Sequence, residues 1–150
     1  MRITPMLTAH FKSSSSADIW ATGVLATEVS ALWARVEPMI ARGLGPEETT
    51  DQVLECLLLK VAQLWTVMEG DEIKAVVVTE ICVLKDGSKV CNIWAAAGAG
   101  INQWLGYMAT IEAWAKENGC RAVVVDRARM GWKRLMKDYR VTHVTLEKGL

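Results

Sequence analysis

Residues Lys89 to Val125 read KVCNIWAAAGAGINQWLGYMATIEAWAKENGCRAVVV, and they contain the clearest fold signal in the chain. The first part of this stretch, Lys89 to Ala95, predicts a strand, and the glycines of Gly98-Ala99-Gly100 predict a turn. Gln103 to Asn118 predicts a helix, because its apolar side chains recur every three or four residues. The β-branched run Arg121 to Val125 predicts a second strand, parallel to the first because a helix joins them.

The residues before this unit predict an antiparallel array. Leu64 to Glu69 and Ile73 to Leu84 are rich in β-branched residues, and Gly70-Asp71 between them favours a tight turn. Asp86-Gly87 predicts a second hairpin turn, since both residues accept positive φ angles at low cost. Three antiparallel strands therefore lead into the β-α-β unit.

The N-terminal third predicts two helices. Apolar residues recur at helical spacing from Ala17 to Ile40, and Gly43 supplies a stop. A helix-capping sequence at Thr50-Asp51-Gln52-Val53 begins the second helix. Before them, Arg2 to Met6 predicts a short strand, and the serine-rich stretch His10 to Asp18 predicts a polar loop.

The C-terminal part predicts a brief basic helix over Met130 to Lys137 and a closing strand over Val141 to Leu146. The predicted order is β-α-α-β-β-β-α-β-α-β, an α/β (α+β) arrangement around a mixed central sheet. With 150 residues, the chain suits a single domain, 1–150, of which 1–18 is partly irregular.

Composition excludes several classes of protein. Hydrophobic residues make up 51% of the chain, as in a globular protein, yet no apolar run approaches the ~20 residues of a membrane span. Met1 to His10 lacks the features of a signal peptide. The four cysteines form no CxxC pair, so we expect reduced core residues and no metal site.

Charge is balanced overall but uneven along the chain. Lys+Arg and Asp+Glu each total 17, which argues against a nucleic-acid partner. Arg121 to Leu150 nevertheless carries eight basic and three acidic residues. This basic C-terminal region would either dock a partner or an anionic ligand, nucleic acid included, or form a solvated helix face.

The element order and the glycine turn resemble the GNAT acyltransferase superfamily over nearly the whole chain. In that family the turn reads Arg or Gln, two residues, Gly, one residue, then Gly or Ala, and it binds the pyrophosphate of acetyl-CoA. Here the segment is Ala95-Ala96-Ala97-Gly98-Ala99-Gly100, with Ala95 in place of Arg or Gln. The resemblance implies cofactor binding by Gly98, Ala99 and Gly100 at a helix N-terminus; without it, the glycines would serve the turn alone.

The family's acid and base have no clear counterparts. Neither Tyr107 nor Tyr139 falls where the resemblance would place the general acid, before a Gly-aromatic pair that reads Asp138-Tyr139 here. Glu80, in an otherwise apolar strand, is the one candidate for a general base. Its alternative role is structural, in a solvated splay between strands or in a pair with a lysine.

Seven tryptophans against one phenylalanine is an unusual ratio. Most fit predicted apolar faces and should belong to the core. Trp20, Trp114 and Trp132 fit less well, and we expect at least one to anchor a partner chain.

Short stretches resemble GNAT-like proteins encoded among the head and tail genes of tailed bacteriophages. They are Arg-Ile-Thr-Pro, Trp-Ala-Arg-Val-Glu-Pro, Gln-Leu-Trp-Thr-Val, Gly-Trp-Lys-Arg and Leu-Glu-Lys. The resemblance implies a non-catalytic virion or assembly component, made in the host cytoplasm and placed at the head-to-tail junction. It would bind other virion proteins in a symmetric assembly and need no cofactor. The alternative is an acetyl-CoA-dependent N-acetyltransferase with a divergent active site.

Overall fold

The computed structural model describes residues 9–12, 18–98, 105–126, 128, 132, 134 and 136–150. Its elements, in chain order, are β1 (Ala9–Lys12), β2 (Asp18–Val24), α1 (Ala26–Gly43), α2 (Thr50–Leu58), β3 (Ala62–Glu69), β4 (Glu72–Val83), β5 (Lys89–Gly98), a 3-10 turn (Leu105–Tyr107), α3 (Met108–Glu117) and β6 (Cys120–Val124).

All six strands belong to one sheet whose spatial order, β1-β2-β3-β4-β5-β6, follows the chain. Neighbouring strands are antiparallel from β1 to β5. The last pair, β5 and β6, is parallel, because α3 carries the chain back before β6 begins. This mixed sheet confirms the predicted α/β class.

Two apolar layers cover the sheet. Helices α1 and α2 pack on one face through buried side chains such as Val36, Ile40 and Leu57. Helix α3 packs on the other face, where the rings of Trp114 and Trp65 meet edge-to-face at 5.3 Å. The indole N–H of Trp65 donates to the buried Thr79 hydroxyl at 3.0 Å, which satisfies its polar atom.

Local sequence signals explain α2 and the β4–β5 turn. Thr49 and Gln52 form a capping box, each side chain accepting a hydrogen bond from the other's backbone N–H. In the turn, Asp86 accepts from both the N–H and the hydroxyl of Ser88, while Gly87 takes a φ of 83°. Both elements begin or end where the sequence predicts.

The N-terminal prediction was wrong in one respect. Asp18–Val24 is a strand, not the start of a helix, and His10 lies in β1 instead of a loop. Strand β2 pairs with β3 along Ile19–Val24 and with β1 on its other side. Hydrogen bonding to β1 on one side and β3 on the other makes this segment a strand, although its apolar residues share the helical spacing of α1. The predicted strand Arg2 to Met6 lies outside the described residues.

The C-terminal prediction was also wrong in part. Residues 139–150 have no regular secondary structure, and the alternating side chains of Val144 and Leu146 are 73% and 91% exposed. Alternation indicates a strand only where a neighbouring strand receives its hydrogen bonds, and none does so among the described residues. The predicted helix Met130 to Lys137 lies mostly outside the described residues, although the Met136 N–H donates to the Trp132 carbonyl as in a helical turn.

Gln103 and Trp104 of the predicted central helix, together with the turn at Ala99-Gly100, lie outside the described residues. The described part is a 3-10 turn (Leu105–Tyr107) followed by α3 from Met108. Its end agrees with the prediction, since Gly119 follows with a φ of 81°. None of the described helices is both long enough and apolar enough to cross a bilayer.

Candidate active site

The sheet opens between β5 and β6. Their parallel ladder ends at the pair Asn92↔Val124, whereas β5 stays paired with β4 as far as Gly98. In the described part of the chain, Ile93–Gly98 therefore has no strand on its second edge. The backbone N–H and C=O groups along that edge can serve as hydrogen-bond partners for another extended molecule.

A β-bulge in β5 stands at the opening. Ile93 is opposite Thr79 and Ala95 is opposite Val78, so Trp94 is an extra residue without a partner on β4. Because the bulge breaks the alternation, Trp94 and Ala95 both contact the layer formed by α1 and α2. A bulge also increases the local bend of its strand, which fits the divergence of β5 from β6.

A cavity of about 210 Å³ lies beside the opening. It has three walls: the α1–α2 connection, the two strands β4 and β5, and the residue that follows β6. The lining residues are Gly43 at the end of α1, Leu44, Gly45 and Glu48 from the connection, Glu80 from β4, Asn92 and Trp94 from β5, and Asp126. Three of these eight residues carry carboxylates, which makes the cavity acidic.

Glu80, the one base candidate from the sequence, lies in this cavity. It is half-buried, and its Oε1 accepts a hydrogen bond from Asn92 Nδ2 at 3.0 Å. The carbonyl oxygen of the same Asn92 amide accepts from the Asp126 N–H at 3.3 Å. Glu80 lies on β4 opposite Asn92, next to the point where β5 and β6 diverge, and its described side-chain partner is this asparagine. Its role as a general base stays a prediction.

Glu48 is a site residue that sequence reasoning missed. Its two carboxylate oxygens accept from the Gly45 N–H at 2.9 Å and from the Trp94 indole N–H at 3.1 Å. These bonds attach the α1–α2 connection to the bulge in β5. No local sequence pattern predicts this role, because Glu48 follows another glutamate, Glu47, in the same connection.

Gly98 is required by packing within the sheet. A Cβ at this position would lie 2.5 Å from the Ala75 side chain and 2.5 Å from the Lys74 carbonyl, and its φ is 153°. Ala95 is buried against the α1 and α2 layer, where an arginine or glutamine would not fit. Cofactor binding by Gly98, Ala99 and Gly100 stays a prediction, and the last two lie outside the described residues.

The two tyrosines are placed away from the cavity lining. The Tyr139 hydroxyl donates to Glu112 at 2.9 Å, and burial together with this hydrogen bond raises its pKa above the usual range. Tyr107 is buried in the core with its pKa also raised by burial. Neither hydroxyl is thus arranged as a proton donor at the opening.

The cysteines are all free thiols. Cys91 is fully buried in β5, and burial raises its pKa to about 12, so it stays protonated and unreactive at neutral pH. Cys56, Cys82 and Cys120 are half-buried with pKa values raised by burial. Within the described ranges, no group of three or more metal-ligating side chains occurs.

The three tryptophans chosen as partner anchors differ in position. Trp114 lies on the buried face of α3, where its exposure is 0%, and offers no surface to another chain. Trp132 is half-buried against the same core, and Trp20 lies in β2 between His10 and Met68, with its side chain outside the description. Partner binding by Trp20 or Trp132 stays a prediction.

A larger, shallow depression of about 620 Å³ borders the β3–β4 turn. Three of its charged side chains have protein partners: Arg35 donates to the backbone carbonyl of Asp71, and Glu69 and Glu72 both pair with Lys74. We assign no chemistry to it.

Similar proteins were found by structure alone. No protein family matches the sequence, and no curated protein does so either. An aminoglycoside N-acetyltransferase AAC(6')-Iy in complex with CoA superposes with a TM-score of 0.66 at 13% identity, over 92% of this chain and 99% of that one. A predicted acetyltransferase from Clostridium acetobutylicum with acetyl-CoA gives 0.62 at 16% identity, over 87% and 96%. Glucosamine-6-phosphate N-acetyltransferase from Arabidopsis thaliana gives 0.61 at 12% identity, over 87% and 97%.

These similarities correct the main functional expectation. A non-catalytic bacteriophage virion component at the head-to-tail junction is wrong as the leading interpretation, because many of the solved structures similar to this chain are acetyltransferases. Nothing among them links the chain to phage gene clusters or to a virion. The expectation that no cofactor is needed loses its basis as well, since two of the similar structures hold CoA or acetyl-CoA. The chain has a GNAT-like fold, as the glycine turn and the element order predict.

Proposed function

We propose that the protein is an acetyl-CoA-dependent N-acetyltransferase with a divergent active site at the opening between β5 and β6. One observation carries the proposal. Strand β5 loses its parallel partner after Asn92 and leaves a free backbone edge beside a cavity that contains Glu80.

The free edge fits the chemistry of an acyl-CoA. The pantetheine arm is an extended chain with two amide groups, and Ile93–Gly98 offers backbone donors and acceptors in the spacing of a strand. When bound, acetyl-CoA supplies an activated acetyl group as a thioester. Similar structures with bound CoA or acetyl-CoA support this assignment.

Glu80 is the residue we assign to proton transfer. A primary amine that attacks the thioester carbonyl forms a C–N bond and must lose a proton, while the C–S bond breaks and the thiolate departs. The Glu80 carboxylate faces the cavity and has one oxygen held by Asn92, which leaves its other oxygen to accept that proton. The negative cavity would also attract a cationic amine.

The thiolate must obtain its proton by another route than a tyrosine. No tyrosine lines the described cavity, and Tyr139 is bonded to Glu112. Bulk water at the open end of the site is the simplest donor. Because no tyrosine among the described residues is placed for this step, we expect slower turnover than in an enzyme with a tyrosine there, since positioned general acids contribute roughly 10²-fold or more.

The first experiment is calorimetry of the purified protein with acetyl-CoA and CoA. We expect dissociation constants in the micromolar range. Absence of binding at millimolar concentrations of both ligands would contradict the proposal.

The second experiment measures thiol release from acetyl-CoA with a panel of primary amines. Glu80→Gln preserves the shape and the hydrogen bond from Asn92, so we expect kcat to fall about 100-fold or more with unchanged acetyl-CoA affinity. Glu55→Gln, an exposed position on α2 away from the cavity, is the matched control and should behave as the wild type. Equal activity of both variants would rule out Glu80 as the base.

A further inference from the structure

We infer that Asn92 is a positioning residue of this site, whose carboxamide holds the Glu80 carboxylate and the backbone of Asp126 in a fixed relation at the point where the sheet opens. The inference rests on the proposed function, because it matters for catalysis only if Glu80 accepts the proton.

The position of Asn92 in the sheet is the first support. It is the last residue of β5 that pairs on both sides, with Glu80 on β4 and Val124 on β6. Both strands beside it are therefore fixed at this level. One residue further along, β5 has a neighbour on one side only.

The second support is the direction of its two hydrogen bonds. Nδ2 donates to Glu80 Oε1 at 3.0 Å, and Oδ1 accepts from the Asp126 N–H at 3.3 Å. A flipped amide would place an acceptor against a carboxylate and a donor against an N–H, so only this orientation satisfies both partners. The bond to the carboxylate is charge-assisted and shorter, and is the stronger of the two.

The third support is that the Asn92 side chain replaces a backbone acceptor for the Asp126 N–H. Strand β6 ends at Val124, so the Asp126 N–H has passed beyond the regular ladder. The Asn92 side chain supplies an acceptor for it, and thereby ends the pairing of β5 with the β6 segment at a defined residue. Without this bond, both the width of the opening and the orientation of Glu80 would lose a constraint.

Asn92 is a neutral hydrogen-bond donor to Glu80, and five ionisable groups lie around the same carboxylate. Those groups are Glu48 from the α1–α2 connection, Cys56 from α2, Cys82 from β4, Cys91 from β5 and Asp126 after β6. No basic side chain lines the described cavity. A neutral donor can hold one carboxylate oxygen without neutralising the base, which a lysine at this position would do.

The test compares Asn92→Leu with the isosteric Asn92→Asp. We expect kcat to fall about 10- to 100-fold in Asn92→Leu while KM for acetyl-CoA stays within about twofold, because misplacement of a base by about 1 Å costs that much. In Asn92→Asp a second carboxylate faces Glu80, so the acidic limb of the pH–rate profile should move to higher pH. In a Glu80→Gln background, Asn92→Leu should change kcat by less than about twofold, since its effect passes through Glu80.

A readout that needs no turnover separates this inference from the proposed function. Amide hydrogen exchange at Asp126 should accelerate about tenfold or more in Asn92→Leu, and less in Asn92→Asp, whose carboxylate still accepts the bond. Should the protein lack acetyl transfer altogether, the proposed function fails and this exchange experiment alone decides on Asn92. Unchanged protection of Asp126, or an equal loss of kcat in the Glu80→Gln background, overturns the inference.

Discussion

Gly43 is the last residue of α1 and lies directly over β5, which makes Gly43→Ala a stringent test of how closely helix and strand approach. An added Cβ would be 2.9 Å from both the N and the O of Ala96 and 3.1 Å from its carbonyl carbon. These are backbone atoms, which cannot rotate aside as a side chain would. Either the end of α1 or β5 must therefore move by several tenths of an ångström.

The size of the effect follows from two opposing contributions. Alanine in place of glycine favours a helix by up to about 1 kcal/mol, while overpacking in a well-packed region costs about 1–3 kcal/mol. We expect a net loss of about 1–2 kcal/mol in the free energy of unfolding, measured by urea denaturation with tryptophan fluorescence. Because Gly43 also lines the cavity, affinity for acetyl-CoA should fall in the same variant.

The matched control is Gly106→Ala in the 3-10 turn, where an added Cβ meets nothing within 4 Å. It should stay within about 0.5 kcal/mol of the wild type. If Gly43→Ala proved as stable as this control or as the wild type, α1 would not approach β5 as closely as described. The position of Gly43 in the wall of the cavity would then be wrong as well.

Two further predictions concern the core. Thr79→Val should lower the free energy of unfolding by about 1–3 kcal/mol, because it leaves the buried Trp65 N–H without its acceptor. The control is Thr66→Val, at a buried threonine for which the described residues provide no side-chain hydrogen bond, and it should cost less. Equal losses of stability in urea denaturation would contradict the role given to Thr79. The pKa of Cys91 is raised from about 9 to about 12 by burial, so the folded state keeps a proton that the unfolded state loses. The contribution of Cys91 to the free energy of unfolding should be fully present below pH 9 and should fall between pH 9 and 12 by up to about 1.4 kcal/mol per pH unit. Unfolding measured as a function of pH should show a shallower fall in Cys91→Ala. Identical slopes in the variant and the wild type would refute this prediction.

The central part of the fold was predictable because its signals are local. The turn from Leu84 to Ser88 is fixed by its own residues, since Gly87 takes the positive φ and Asp86 accepts from the Ser88 N–H. The capping box at Thr49 likewise needs only residues at the start of α2. The parallel arrangement of β5 and β6 followed from the helix between them. Each of these inferences depends on residues close together in the chain.

The terminal parts were not predictable in the same way. Asp18–Val24 becomes a strand because β3, more than forty residues later, pairs with it. Val141 to Leu146 has the alternation of a strand but no partner among the described residues. In both cases the outcome depends on a distant neighbour that a sequence pattern does not reveal.

The candidate site shows the same limit. Glu80 was recognisable as a carboxylate in an apolar strand, whereas Asn92, Glu48 and Asp126 carry no individual signal. Asn92 meets Glu80 as its cross-strand partner and meets Asp126 through its side-chain amide, while Glu48 reaches the site through the indole of Trp94, the extra residue of the β5 bulge. A bulge of this kind is set by packing on both sides of the strand, so its position was not available from periodicity.

The strand order of the sheet has a consequence for folding. Strands β3, β4 and β5 are joined by tight turns and can pair at small cost in chain entropy, whereas β6 reaches β5 only after a crossover through α3. Strand β6 is also only five residues long. Its seam with β5 should therefore assemble after the β3–β4 and β4–β5 pairs and open before them in native-state fluctuations, so the region that we assign to acetyl transfer borders the less stable edge of β5.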